Sequence, residues 1–179
     1  VIRIMGLDNI KSIEPEKNRI KPTLNFYQKH FHLAQRSVAS KGYFETVTWS
    51  FTDEKLNDNF KEEIDTIKIV NPISSDLNVL RNSLYPNLIF YMEKNSKRGF
   101  DDQSLFEIGP VFKGKKPGEQ ITVVCGLKRQ SGSDKQQGEI DVFEIKKDFI
   151  QTLMELGINK DEFKICLLYT SPSPRDGQI

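Results

Sequence analysis

The sequence predicts an α+β fold with a mainly antiparallel sheet flanked by helices, and three observations carry that expectation. Apolar residues recur at steps of three and four in three long stretches, and Gly42, Gly99 and Gly157 stand where each would close. Short apolar or β-branched runs lie between them, at Tyr43–Phe51, Thr66–Val70, Leu105–Gly109 and Ile121–Leu127. The last two runs are joined by a Lys/Gly/Pro-rich loop, Lys113–Gln120, of hairpin character. Strands mixed with helices and joined by hairpins give an α+β architecture.

The 179 residues suffice for one domain of ordinary size, or one domain with pieces of its neighbours. With 26 basic and 25 acidic side chains the net charge is +1, so no long-range field marks a nucleic-acid or anionic-membrane partner. No run approaches the roughly 18–20 apolar residues of a membrane span, and no basic-then-apolar leader opens the chain. The expected compartment is the cytoplasm. Cys125, in an apolar strand, reads as a buried free thiol, and a disulfide to Cys166 is not expected there. His30 and His32, two apart on a helix, point to different faces and cannot chelate a metal as a pair.

In chain order, Ile2–Met5 reads as the last turn of a helix capped by Gly6, as in a piece cut from something longer. Lys11–Lys21 is a polar linker stiffened by prolines. The helix over Pro22–Lys41 carries an apolar stripe of Leu24, Tyr27, Phe31, Ala34 and Val38, which Phe26 and Leu33 widen. A face that broad predicts either an ordinary core helix or one that also meets another subunit. Tyr43–Phe51 is expected as one half-buried strand with Val47, Trp49 and Phe51 inward. A short helix capped at Thr52 or Asp53 follows. Asn71-Pro72 marks a turn, and Ser83 with Pro86 starts the next helix, carried by Leu84, Leu88, Tyr91, Met92 and Asn95. Gly109-Pro110 is expected to stop the strand that begins at Leu105. Arg129–Gly138 is a Gly/Ser-rich loop, and Val142–Leu156 a helix with Ile145, Phe149, Leu153 and Leu156 as its stripe.

The residues contain no Gly-rich phosphate loop, no Cys or His metal cluster and no nucleophile–base pair. Asp101-Asp102 reads as a solvated turn, since a hard-cation site needs several convergent oxygens. Lys94, Lys97 and Arg98 form a basic helix end; they complement the helix C-terminus or, as a second reading, contact phosphate or tRNA. The final Cys166–Ile179, with Ser-Pro-Ser-Pro, leaves this grammar and resembles a translated sequencing adaptor rather than native protein.

Three segments, VIRIMGLDNI, GYFETVTWSF and NPIS…LRNSLYPNL…LFEIGPVF, in that order and spacing, resemble the β subunit of bacterial phenylalanyl-tRNA synthetase over residues 1 to 158. Lys11 departs from it, standing where the family usually has proline. The resemblance implies residues 1–20 as the end of a small metal-containing module and its linker. It implies 21–165 as a class II synthetase-like catalytic-like module, incomplete at the C-terminus, with 166–179 as the foreign tail. Pro22–Phe51 then resembles the first class II motif, which builds subunit interfaces, with Trp49 about where catalytic chains carry proline. The F-R-x-E signature of the second motif and the Gly-rich third motif are not found.

By that resemblance the chain is a non-catalytic part of phenylalanine–tRNA ligase with no site residues of its own for catalysis, cofactor or metal. The family's magnesium carboxylates would precede Val1. The holoenzyme uses ATP and magnesium, and the implied partners are an α subunit, in a heterotetramer of two α and two β chains, and tRNA. Leu24, Tyr27, Phe31, Ala34 and Val38 are the interface candidates. Two other expectations stand beside this one: a catalytically active class II-like domain or paralogue with its own nucleotide site, and a nucleic-acid-binding module using Lys94, Lys97 and Arg98.

Overall fold

The computed structural model describes residues 2–14, 23–60, 66–130 and 142–159. The expectations for the linker after Glu14, the start of the long helix at Pro22, the loop after Gln130, and the tail with Cys166 lie wholly or partly outside them. The elements are α1 (Ile2–Met5), a 3-10 turn (Leu7–Asn9), α2 (Phe26–Ser40), β1 (Phe44–Glu45), β2 (Phe51–Thr52), α3 (Glu54–Asp58), β3 (Val79–Leu80), α4 (Tyr85–Ser96), β4 (Gln103–Phe112), β5 (Gln120–Arg129) and α5 (Val142–Glu155).

Strand β4 is the axis of the fold. It pairs in parallel with β1 through Phe44↔Leu105 and antiparallel with β5 along its whole length, from Gln103↔Arg129 to Phe112↔Gln120. A separate antiparallel pair, β2 with β3, sits beside it. The expected α+β class holds, and the three-stranded sheet is mixed, with β1–β4 parallel and β4–β5 antiparallel.

Because side chains alternate along a strand, β4 serves two layers. Leu105 and Val111 meet Leu84, Leu88 and Met92 of the α4 region and Cys125 of β5. Phe106 points the other way into a smaller cluster with Val38 and Tyr43, against which Ile108 packs. Burying both faces of one strand makes it the best protected element.

Local chemistry explains most element ends. Asn25 begins α2 with a capping box: its Oδ1 accepts from the Gln28 amide, and the Gln28 side chain accepts from the Asn25 amide, both at 2.9 Å. That reciprocal pair places the start at Phe26, four residues beyond the expected one. Of the two candidate caps of α3, Asp53 is used; its Oδ1 accepts from Lys55 N and Leu56 N. Ser83 Oγ accepts from Tyr85 N at 3.2 Å, just ahead of α4. Gly99 ends α4 at φ 90°, a left-handed conformation that a side chain would strain.

Three expectations are corrected. Thr66–Val70 is not a strand but carries a single bridge, Lys68 to Val79. The run Tyr43–Phe51 is not one strand but two residues of β1, an irregular stretch, and then β2. Its polar side turns inward while Val47 is 91% and Trp49 57% exposed, the reverse of the expected alternation. The reason is a set of buried polar partners described below. Nor does Gly109-Pro110 stop β4, which continues to Phe112. On this stretch the Phe112 amide bonds the Arg81 carbonyl, away from β5. Alternation puts the Pro110 nitrogen on that same side, so its missing N–H costs no bond to β5.

Candidate functional site

The polar centre is built where the 46–51 segment, the chain leaving β3, the start of α4 and mid-β4 converge. Arg81 is 1% exposed and Glu107 2%. Arg81 Nη1 donates to Glu107 Oε1 at 2.7 Å, to Thr48 Oγ1 at 2.9 Å and to the Trp49 carbonyl at 3.3 Å, and Nε donates to the Pro110 carbonyl at 2.9 Å. Thr48 Oγ1 donates to Glu107 Oε2 at 2.7 Å and also accepts from Asn87 Nδ2 at 3.1 Å. One hydroxyl, with one hydrogen and two lone pairs, is thereby saturated. This is why the polar face of 46–50 points inward: Thr48 completes a charge pair that would otherwise be costly to bury.

The backbone reinforces the clasp. Arg81 N donates to the Ser50 carbonyl at 3.1 Å, and the Arg81 carbonyl accepts from Phe112 N at 3.0 Å. Beside it, Asn57 and Asn82 bond reciprocally: Asn57 Nδ2 to Asn82 Oδ1 at 2.6 Å, and Asn82 N to Asn57 Oδ1 at 2.9 Å. Gly109 gives the guanidinium its room. A Cβ there would collide with Arg81 Nη2 and lie 3.2 Å from Glu107 Oε1. This centre does not fit a nucleotide triphosphate, because its cation and carboxylate are buried and bonded to each other.

A second polar group ties α5 to the rest. Lys128 Nζ bonds Glu144 at 2.8 Å and Asp148 at 2.9 Å, and it lies 4.8 Å from the centre of the Tyr43 ring. Tyr43 Oη donates to Asp148 at 3.2 Å. Burial, with Asp148 beside it, pushes the Tyr43 phenol up to about 12, although Lys128 pulls the other way. Desolvation lowers the Lys128 ammonium, but its bonds to Glu144 and Asp148 outweigh that and hold it above the usual lysine range. At the other end of α5, Ser37 and Lys41 bond Glu155 and hold its carboxyl below the usual range. Cys125 is pushed up to about 12 by burial, and a thiol so held stays protonated and unreactive.

The expected interface stripe divides. Leu24 is 40% and Tyr27 81% exposed, with Phe26 beside them at 67%. Phe31 is half-buried, while Ala34 and Val38 are buried, Val38 against Tyr43 and Phe106. Of the basic helix end, Lys97 pairs with Glu93 at 2.5 Å and Lys94 lies 6.0 Å from the centres of the Phe90 and Tyr91 rings. Arg98 is exposed. Asp101 accepts from Ser96 Oγ and sits 3.5 Å from Arg129, as a turn residue does. His30 and His32 bond separate acceptors, the Phe26 carbonyl and Gln35.

Sequence reasoning missed the pairing of Arg81 with Glu107 and the role of Thr48. The available signal was a glutamate inside the apolar run Leu105–Ile108 and an arginine directly after Val79-Leu80. Charges inside apolar runs are buried only as pairs.

The solved structures that share this fold are aminoacyl-tRNA synthetases. Two structures of pyrrolysyl-tRNA synthetase from Desulfitobacterium hafniense match with TM-scores of 0.56 and 0.55, covering 75% and 74% of this chain and 46% and 47% of theirs. Sequence identity there is 13%, so the likeness is one of fold. Within that class, residues 10–173 match the phenylalanyl tRNA synthetase beta chain CLM domain, and the chain belongs to that family. Proteins named phenylalanine–tRNA ligase beta subunit are similar throughout. That of Paramagnetospirillum magneticum is 36% identical over 92% of this chain, that of Bartonella henselae 35% over 92%, and that of Rhodospirillum rubrum 33% over 88%. The chain spans about a fifth of their length, 21%, 22% and 20% respectively. Among the described residues no helix is long and apolar enough to cross a membrane.

Proposed function

We propose that this chain is a portion of the β subunit of phenylalanine–tRNA ligase that supports assembly with the α subunit, which attaches phenylalanine to tRNA using ATP and magnesium. Residues 1–20 would end a preceding module, 21–165 would form the catalytic-like module, and 166–179 would be foreign to the native protein. The observation that supports docking is the division of α2: its C-terminal half is fixed in the core, while Leu24, Phe26 and Tyr27 stay exposed at its start. Exposed aromatic side chains grouped at one helix end fit a subunit contact better than a solvated surface. The clasp serves as scaffold in this reading, because its charges are spent on each other. The assembled enzyme would be a cytoplasmic heterotetramer of two α and two β chains that meets tRNA as a unit.

Co-expression of the full chain with a bacterial α subunit tests this. Phe26→Asp with Tyr27→Asp is expected to reduce α capture at least tenfold while the circular dichroism of the chain is unchanged. Equal capture would overturn the docking surface. Phenylalanine-dependent exchange of pyrophosphate into ATP by the purified chain alone would overturn the non-catalytic reading and favour an independent synthetase.

A further inference from the structure

Between the 49–53 segment, the turn at 74–77 and the outer side of α4 lies an open cavity of about 450 Å³. Trp49, Phe51, Phe90 and Tyr91 supply aromatic walls. Trp49 and Phe51 stack with centroids 6.5 Å apart and planes at 25°, while Phe90 and Tyr91 meet edge to face at 5.3 Å. Lys94, which is not part of the lining, lies 6.0 Å from the centres of the Phe90 and Tyr91 rings, so these π faces already stand within reach of a cation.

Asp53 and Asp76 line the same cavity. Asp53 Oδ1 accepts from the α3 amides and Asp76 Oδ1 from Ser75 Oγ; among the described residues no basic side chain pairs with either. Asn87, 6% exposed, also contributes to the lining. Its Nδ2 is used by Thr48 and the Trp49 carbonyl, but its buried Oδ1 has no donor. A buried acceptor without a donor is rare in folded proteins and marks a place where an N–H group is wanted.

We infer that this cavity binds an organic cation, a guanidinium or primary alkylammonium group. Its N–H groups would reach Asn87 Oδ1, its charge would sit near Asp53 and Asp76, and its body would lie against the aromatic walls. The group comes either from a free small molecule or from an arginine or lysine side chain of another protein. This site is separate from the α2 surface, so the two readings stand or fall independently.

Trp49 is the only tryptophan of the chain, so its emission reports directly on the cavity. The full chain is titrated with n-butylguanidinium, with its neutral counterpart n-butylurea, and with a capped Gly-Arg-Gly tripeptide. A saturable emission change is expected with the guanidinium and at least tenfold weaker binding with the urea. Asp53→Asn with Asp76→Asn should weaken the cation at least tenfold, and asparagine keeps the α3 cap. Should the pair disturb folding, Asp76→Asn alone, in an exposed turn, must still lower the affinity. Tighter binding of the tripeptide than of butylguanidinium assigns the cation to a protein side chain, and weaker binding assigns it to a free small molecule. Equal binding of the urea, or unchanged affinity in the folded acidic variants, overturns the site. A folded chain with no saturable response overturns it as well.

Discussion

The two sides of β4 hold the molecule together in different ways. Towards α4, Arg81, Glu107, Asn82 and Asn57 are all at most 4% exposed, and each side chain bonds another part of the chain. Towards α5, the polar contacts lie nearer the surface, and the helix keeps Val142, Phe143 and Phe149 more than half exposed. On the first side polar groups specify one arrangement, because any other would leave a charge buried alone. On the second, ion pairs partly screened by solvent set the position of a helix whose apolar face is only part covered. The first side is a fixed scaffold. The second responds to its surroundings.

The largest effect should come from unbalancing the clasp. Arg81→Met leaves Glu107 buried without its cation and should cost about 3–5 kcal/mol in urea unfolding. Arg81→Met combined with Glu107→Leu should cost clearly less, since both charges go together. If the double variant loses as much as the single one, the clasp is held by shape rather than by charge pairing. Gly109→Ala should follow at about 1–3 kcal/mol, because the new methyl group meets Arg81.

The α5 side should answer to pH instead, in opposite senses at its two ends. The fold holds the protonated phenol of Tyr43, raised from 10.0 to about 12. That contribution is complete below about pH 10 and is lost as the pH rises through 12. The raised Lys128 ammonium acts in the same direction, adding stability below its ordinary range and losing it above. Glu155, held low by Ser37 and Lys41, contributes above the ordinary carboxylate range and loses its part as the pH falls. Thermal melts of the chain should therefore fall on the alkaline side, and Tyr43→Phe should flatten the decline between pH 10 and 12. An unchanged slope in that variant would remove Tyr43 from the account. The smallest effect is expected at Asn25→Ala, which loses one end of the capping box of α2 and should cost about 1 kcal/mol.

Much of this was legible in the sequence because it is local. The stripes of α2, α4 and α5, the left-handed glycines at 99 and 157, the Asp53 cap and the seven-residue hairpin loop between β4 and β5 all follow from contacts a few residues apart. The start of α2 lies later than expected because the reciprocal Asn25–Gln28 pair caps the helix there. The exposed end of the α2 stripe could not be told from its buried end, since periodicity gives a face and not what covers it.

What the sequence determined by itself, then, was the class of fold, the order of its helices and the hairpin, and the family likeness carried by LRNSLYPNL and LFEIGPVF. Tertiary structure alone decided that the Thr46 and Thr48 hydroxyls bond inward, that β4 runs through Pro110, and that Arg81 meets Glu107 across 26 positions. The physical reason is the same in each case. Local propensity measures what a residue gains from its neighbours in sequence, whereas a buried charge is tolerable only next to an opposite charge, and where that charge stands is settled by the whole chain.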